Sequence, residues 1–267
     1  MSNKNKAYSI LYSLLPVILY VLVYQIAACI MLIVIQVISS GNIEVQSFVY
    51  SHEEDMEAMM TAIAMAAGFI AIHRLIRKEV SYSYFIKSGK QITAVSFIFI
   101  VLAAILLNIV ISASGMISAD SAAGKASEQT GGVSILLGIL VYGILSPFIE
   151  ESVFRGITFE RIQNSTASFW QATFISSLLF GLYHGNLIQG VYAFFMGILF
   201  CLFCNLTGSL PCTVILHGAI NVILLILSQS GMFGILCEPV WFACLLGGAI
   251  LCAGFLYIQK RDRTKNE

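Results

Sequence analysis

The sequence predicts an all-α polytopic bundle of about eight transmembrane helices, with both termini cytoplasmic. Three observations carry that expectation. The chain is 58% hydrophobic and only 10% charged, whereas a soluble domain has about 25% charged residues. Charge-free runs recur along it, and a helix needs ~20 apolar residues to cross ~30 Å of hydrocarbon. Lys and Arg collect in alternate loops, as short cytoplasmic segments require. Mean hydropathy of +0.90 agrees with lipid, not water, as the solvent of most of the surface.

The runs give the elements in order. Tyr8 to about Val37 holds no charged residue. It is too long for a signal peptide, and further apolar runs follow it, so it reads as a signal-anchor helix. A second span is expected from about Ala58 to Ile72, a third from about Thr93 to Met116, and a fourth from near Gly132 to Pro147 or beyond. From Ile162 to Cys237 there is no Asp, Glu, Lys or Arg. That stretch exceeds one crossing. Breaks at His184-Gly185-Asn186 and from Asn205 to Pro211 divide it into three spans. The last span runs from about Pro239 to Ile258. Unbroken Leu, Ile, Ala and Phe runs point to helices, since barrel strands alternate.

The loops fit this order. The inner segments carry Lys4 and Lys6, the stretch from Arg74 to Lys90, Arg155 and Arg161, and the tail from Lys260 to Lys265. The outer loop before the second span carries Glu44, Glu53, Glu54 and Asp55 without Lys or Arg, and the loop from Asp120 to Glu128 is nearly balanced. Net charge is zero, so there is no basic field for nucleic acid. The seven cysteines lie mostly in apolar runs, where thiols pack as small hydrophobes; this includes the Cys201-x-x-Cys204 pair. With no repeat and no soluble segment, residues 1–267 read as one membrane domain.

Three polar clusters interrupt the apolar runs, and polar groups in a bilayer are costly enough to be functional candidates. In Ser-Pro-Phe-Ile-Glu150-Glu151-Ser-Val-Phe-Arg155, adjacent carboxylates point about 100° apart on a helix and cannot do the same job. Glu151 and Arg155 share a face and suit a salt bridge. Glu150 is left without a local counter-charge, which suits a general base or acid. Phe180-Gly-Leu-Tyr-His184-Gly-Asn186 places an imidazole in a charge-free run. His217-Gly-Ala-Ile-Asn221 stacks an imidazole and an amide on one face, two donors suited to a developing oxyanion. A carboxylate, two imidazoles and an amide on three spans are the parts of a water-activating hydrolase. Glu150, His184 and His217 are also types that ligate zinc, although no H-E-x-x-H motif is present.

These segments match E-E-x-x-x-R, F-x-x-x-H and H-x-x-x-N in order, on separate apolar runs. The stretch from about 130 to 225 resembles the CPBP family of intramembrane proteases, also called the Abi or CAAX-protease family. The resemblance implies a membrane-embedded endopeptidase in which Glu150 is the general base and His184 its partner. It places His217 and Asn221 on the oxyanion side, with Glu151, Arg155 and Phe180 as structural support. It leaves open whether a divalent metal such as zinc or no cofactor takes part. It implies membrane lipids as surroundings and a peptide or protein substrate, lipidated or not. A bacterial plasma membrane is the expected location. Bacterial relatives of this kind are linked to peptide maturation and bacteriocin self-immunity. Two rival readings use the same residues: a proton-coupled transporter with Glu150, His184 and His217 as a relay, and a non-catalytic membrane scaffold.

A straight-helix estimate conflicts with this site. It puts His184 about 24 Å from Ser168 but His217 only about 9 Å from Pro211, two positions at the same inner side. The fifth span begins later, the helices tilt, or the fourth span breaks at Pro147.

Overall fold

The apolar runs do form helices. A computed structural model describes residues 3–80, 82, 89–114 and 131–266. The loop from Asp120 to Glu128 and Lys87 lie outside the described residues. So do the side chains of Lys4, Lys6 and the Lys260 to Lys265 tail. Helix α1 spans Asn3–Ser40, α2 Ile43–Ser51, α3 Glu53–Glu79 and α4 Lys90–Ala113. Helix α5 runs continuously over Ile135–Thr166. Then come α6 Phe169–Tyr183, α7 Leu187–Thr207, α8 Leu210–Gln229, α9 Met232–Leu236 and α10 Pro239–Asn266.

Seven helices among the described residues are long and apolar enough to cross a membrane. The expectation of about eight differs by α6. Its 15 residues extend about 22 Å, short of the ~30 Å hydrocarbon core. Ser168 caps it by accepting from the Gln171 amide, and a Gly-containing turn follows Tyr183. The α3 helix outgrows its predicted span at both ends. Its acidic first turn and basic last turn complement the helix dipole and keep those charges beyond the apolar middle.

Burial sorts the helices. Only 6% of the apolar window of α1 and of α10 is buried, against 44% for α5 and α8. The latter two are the centre of the bundle. They approach closely because Gly143 and Gly218 face each other; a Cβ on Gly218 would collide with the Gly143 carbonyl. Small residues at helix crossings permit this backbone proximity. On α6 and α7, Gly181 and Gly190 do the same, each with the other's carbonyl where a Cβ would stand.

The predicted break at Pro147 does not occur. The helix widens instead. Ile139–Leu145 and Ser152–Phe159 are π-helical, flanking an α-helical turn at Ser146–Glu151. Proline supplies no N–H and its ring clashes with the carbonyl four residues back in an α-helix. A π-register before Pro147 relieves that clash without ending the helix, and such widenings recur at functional sites.

Candidate active site

The turn between α5 and α6 sets the depth of the first two motifs. Ala167 takes a left-handed conformation, φ 54°, and reverses the chain. It lies midway in sequence between Glu150 and His184. The two helices climb back from one turn, so both residues stand at similar distances from it. The helix expected as the fifth span, α6, starts directly after its cap Ser168, so a later start is not the answer to the depth conflict. His184 and His217 are joined through Phe180. Its ring is edge-on to both imidazoles, with centroids 4.8 Å and 5.9 Å away.

Glu150, Phe180, His184, His217 and Asn221 line one cavity of about 450 Å³. Glu151 and Arg155 do not line it. They are 0% and 2% exposed and lie behind it, as the angular offset of adjacent helical residues requires.

Glu150 is buried and turned to the cavity. Its Oε1 accepts from Ser146 Oγ at 2.7 Å, and its Oε2 is 3.8 Å from His217 Nε2. The carboxylate left without a partner in sequence therefore gains two, one a turn earlier and one from α8. Glu151 Oε1 accepts from Arg155 Nη1 at 2.9 Å and from His217 Nδ1 at 2.8 Å. The second bond was not legible in the sequence, which paired Glu151 with Arg155 alone. The Arg155 guanidinium lies over the Phe180 ring at 4.2 Å and near the Phe200 ring at 5.2 Å. Its Nε and Nη2 have no hydrogen-bond partner, so ring faces supply part of its stabilisation.

Both histidines carry a proton on Nδ1. His184 Nδ1 is 2.8 Å from the Phe180 carbonyl; a carbonyl only accepts, so Nδ1 carries the proton. The Nε2 of a neutral His184 then holds a lone pair. His217 Nδ1 likewise donates to Glu151. Asn221 donates from Nδ2 to the Tyr142 carbonyl at 2.9 Å, tying α8 to the first π-segment. No group of three or more His, Cys, Asp or Glu among the described residues is arranged to hold a metal ion. Cys201 and Cys204 are free thiols in the packed face of α7.

Four more helices add residues that no motif signalled. Tyr24, Thr61, Asn108 and Tyr192, from α1, α3, α4 and α7, complete the cavity wall. Tyr183, next to His184, also lines it, and its hydroxyl lies 3.0 Å from that of the fully buried Tyr20.

Residues 132–223 match the family model described as Type II CAAX prenyl endopeptidase Rce1-like. Comparisons with curated proteins and with solved structures give no match. The matched stretch contains α5 to most of α8, and with them every polar residue of the three motifs. Residues 132–223 are therefore a CPBP/CAAX protease-like domain within an all-α polytopic membrane bundle.

Proposed function

We propose that the chain is an intramembrane endopeptidase that hydrolyses peptide bonds of membrane-associated peptides or proteins. The observation that carries this reading is the convergence of Glu150, His184, His217 and Asn221 on one cavity. Its volume, about 450 Å³, lies within the ~300–1,000 Å³ of ordinary ligand sites.

In this mechanism Glu150 takes a proton from a water held between its carboxylate and the Nε2 lone pair of His184. The water oxygen bonds to the substrate carbonyl carbon as the carbonyl π electrons move to oxygen. His217 and Asn221 donate to that oxygen, the type of interaction that lowers such barriers most. Glu150 then passes its proton to the leaving amide nitrogen as the C–N bond breaks. As the imidazolium, His217 makes the buried set of Glu150, Glu151, Arg155 and itself neutral. Neutrality matters where an uncompensated charge is costly. Glu151 holds His217 in place, and Arg155 holds Glu151. We assign no resident metal to the reaction. Among the described residues no group of three or more His, Cys, Asp or Glu is arranged to hold an ion, and Glu150 Oε1 is committed to Ser146.

The substrate belongs at the membrane because the cavity is enclosed by apolar helices. We place the chain in a bacterial plasma membrane, with its short basic segments on the cytoplasmic side. The test is hydrolysis of fluorogenic peptides, prenylated and unmodified, by the full chain in lipid nanodiscs. Glu150→Ala and His184→Ala are each expected to lose about 10²-fold or more in kcat/KM. Full activity of both variants on every accepted peptide would falsify the assignment.

A further inference from the structure

The cavity does not extend equally towards the two ends of the bundle. From Glu150 it passes Tyr142 and Tyr192 and reaches Ser112, Gln189, Ser228 and Phe233. Ser112 is in the last turn of α4, Ser228 in the last turn of α8, and Gln189 in the first turn of α7. These helix ends share one end of the bundle with the start of α3 and α5. There Asp55 accepts from the Ser134 amide at 2.7 Å, and Gln229 donates to the Val133 carbonyl at 2.7 Å.

In the other direction the cavity stops. Below Glu150 the second π-segment packs Val153, Phe154 and Ile157, all 0% exposed, into the main core with Phe203 and Leu216. A Cβ on Gly156 would stand 2.9 Å from Val80 and 3.3 Å from Leu210. Among the described residues that layer is closely packed.

The two ends differ in charge. At the sealed end lie Arg77 and Lys78 in the last turn of α3, Lys90 at the start of α4, and Arg161 paired with Glu79. At the open end the first turn of α3 holds Glu53, Glu54 and Asp55. Short cytoplasmic segments are the basic ones. The sealed end is thus the cytoplasmic one.

We infer that the chamber takes its substrate from the non-cytoplasmic face: peptide segments that have already been translocated, not cytoplasmic tails. This rests on the endopeptidase reading for the word substrate, but the direction of access stands on cavity shape and charge alone. A translocation step must therefore supply what this chain cleaves.

The test is carried out on the full chain in right-side-out and inside-out vesicles. Ser228→Cys and, separately, Ser112→Cys are exposed to a membrane-impermeant maleimide. Modification is read by mass spectrometry at the introduced residue, which separates it from the native cysteines. Arg77→Cys marks the opposite end. The expected result is modification of Cys at 228 and 112 in right-side-out vesicles and protection in inside-out ones, with the reverse for position 77. Modification at 228 and 112 from the cytoplasmic side alone overturns the inference. Two positions on different helices guard against one variant misfolding. Failure of the endopeptidase reading shows separately, as intact peptide in both vesicle types while labelling keeps its sidedness.

Discussion

His217 donates from Nδ1 to Glu151 Oε1 at 2.8 Å, and that bond joins the third motif to the first. It also gives the adjacent glutamates separate work. Glu150 faces the cavity, whereas Glu151 sits behind it between an imidazole and the Arg155 guanidinium. The arrangement is that of an imidazole-orienting carboxylate held by its own counter-ion. Orientation by a second group is how an imidazole keeps one nitrogen aimed at a reacting atom.

Glu151→Gln is expected to unfold the site, not merely slow it. It leaves Arg155, 2% exposed, without a counter-charge, and removing one member of a buried pair costs about 3–5 kcal/mol. A large drop in the thermal midpoint in nanodiscs is the expected reading. Replacing both partners, Glu151→Met with Arg155→Met, is expected to recover much of that midpoint while activity stays lost, because His217 keeps no acceptor. An unchanged midpoint for Glu151→Gln is the outcome that counts against the pair.

Glu150→Gln has the opposite profile. The amide oxygen of Gln still accepts from Ser146 Oγ, so the packing around Oε1 survives. The group no longer takes a proton at neutral pH. The expected result is a loss of about 10²–10⁴-fold in kcat, with a smaller drop in the melting midpoint than Glu151→Gln gives, because Arg155 keeps its counter-ion. Retained kcat would move the base elsewhere in the cavity.

Much of this was legible in the sequence, for a physical reason. Lipid tolerates few charges, so charge-free runs marked where the spans lie, and the three motifs stood out as polar exceptions. The fourth helix was the place where that logic ran short. Glu150, Glu151 and Arg155 look like a helix end because charges usually mark one. They are buried instead because they neutralise and bond to one another and to His217. Pro147 looked like a break, whereas a π-register absorbs it. The short α6 had no composition signal, since its 15 residues are as apolar as a full span. Tyr24, Asn108 and Tyr192 were invisible as wall residues because each is a lone polar side chain with no spacing pattern.

Chelation is expected to leave the activity intact. No cluster of three or more ligand-type side chains among the described residues is placed to hold an ion. Structural or catalytic zinc ordinarily has at least three protein ligands. Peptide hydrolysis after 1,10-phenanthroline, with metal content measured by mass spectrometry, decides the matter. Stoichiometric zinc lost together with activity, and both restored by zinc alone, would overturn the metal-free mechanism.

Asn221 separates an oxyanion role from a packing role. Its amide nitrogen carries two hydrogens. One goes to the Tyr142 carbonyl at 2.9 Å, and the other is available on the side of the residue that lines the cavity. Asn221→Ala removes both, and loss of the bond to Tyr142 is expected to cost about 1–3 kcal/mol of stability. That cost alone does not identify catalysis, because a misplaced π-segment also shifts Ser146 and Glu150. Asn221→Asp sharpens the test. It keeps the side-chain shape but sets a carboxylate oxygen against a carbonyl and removes the donor to a developing oxyanion. A donor used mainly in the transition state predicts a fall in kcat with little change in KM. That split is expected for the folded fraction of both variants, isolated by gel filtration before assay. If the folded fraction of Asn221→Ala turns over at the parent rate, the amide serves only to tie α8 to α5.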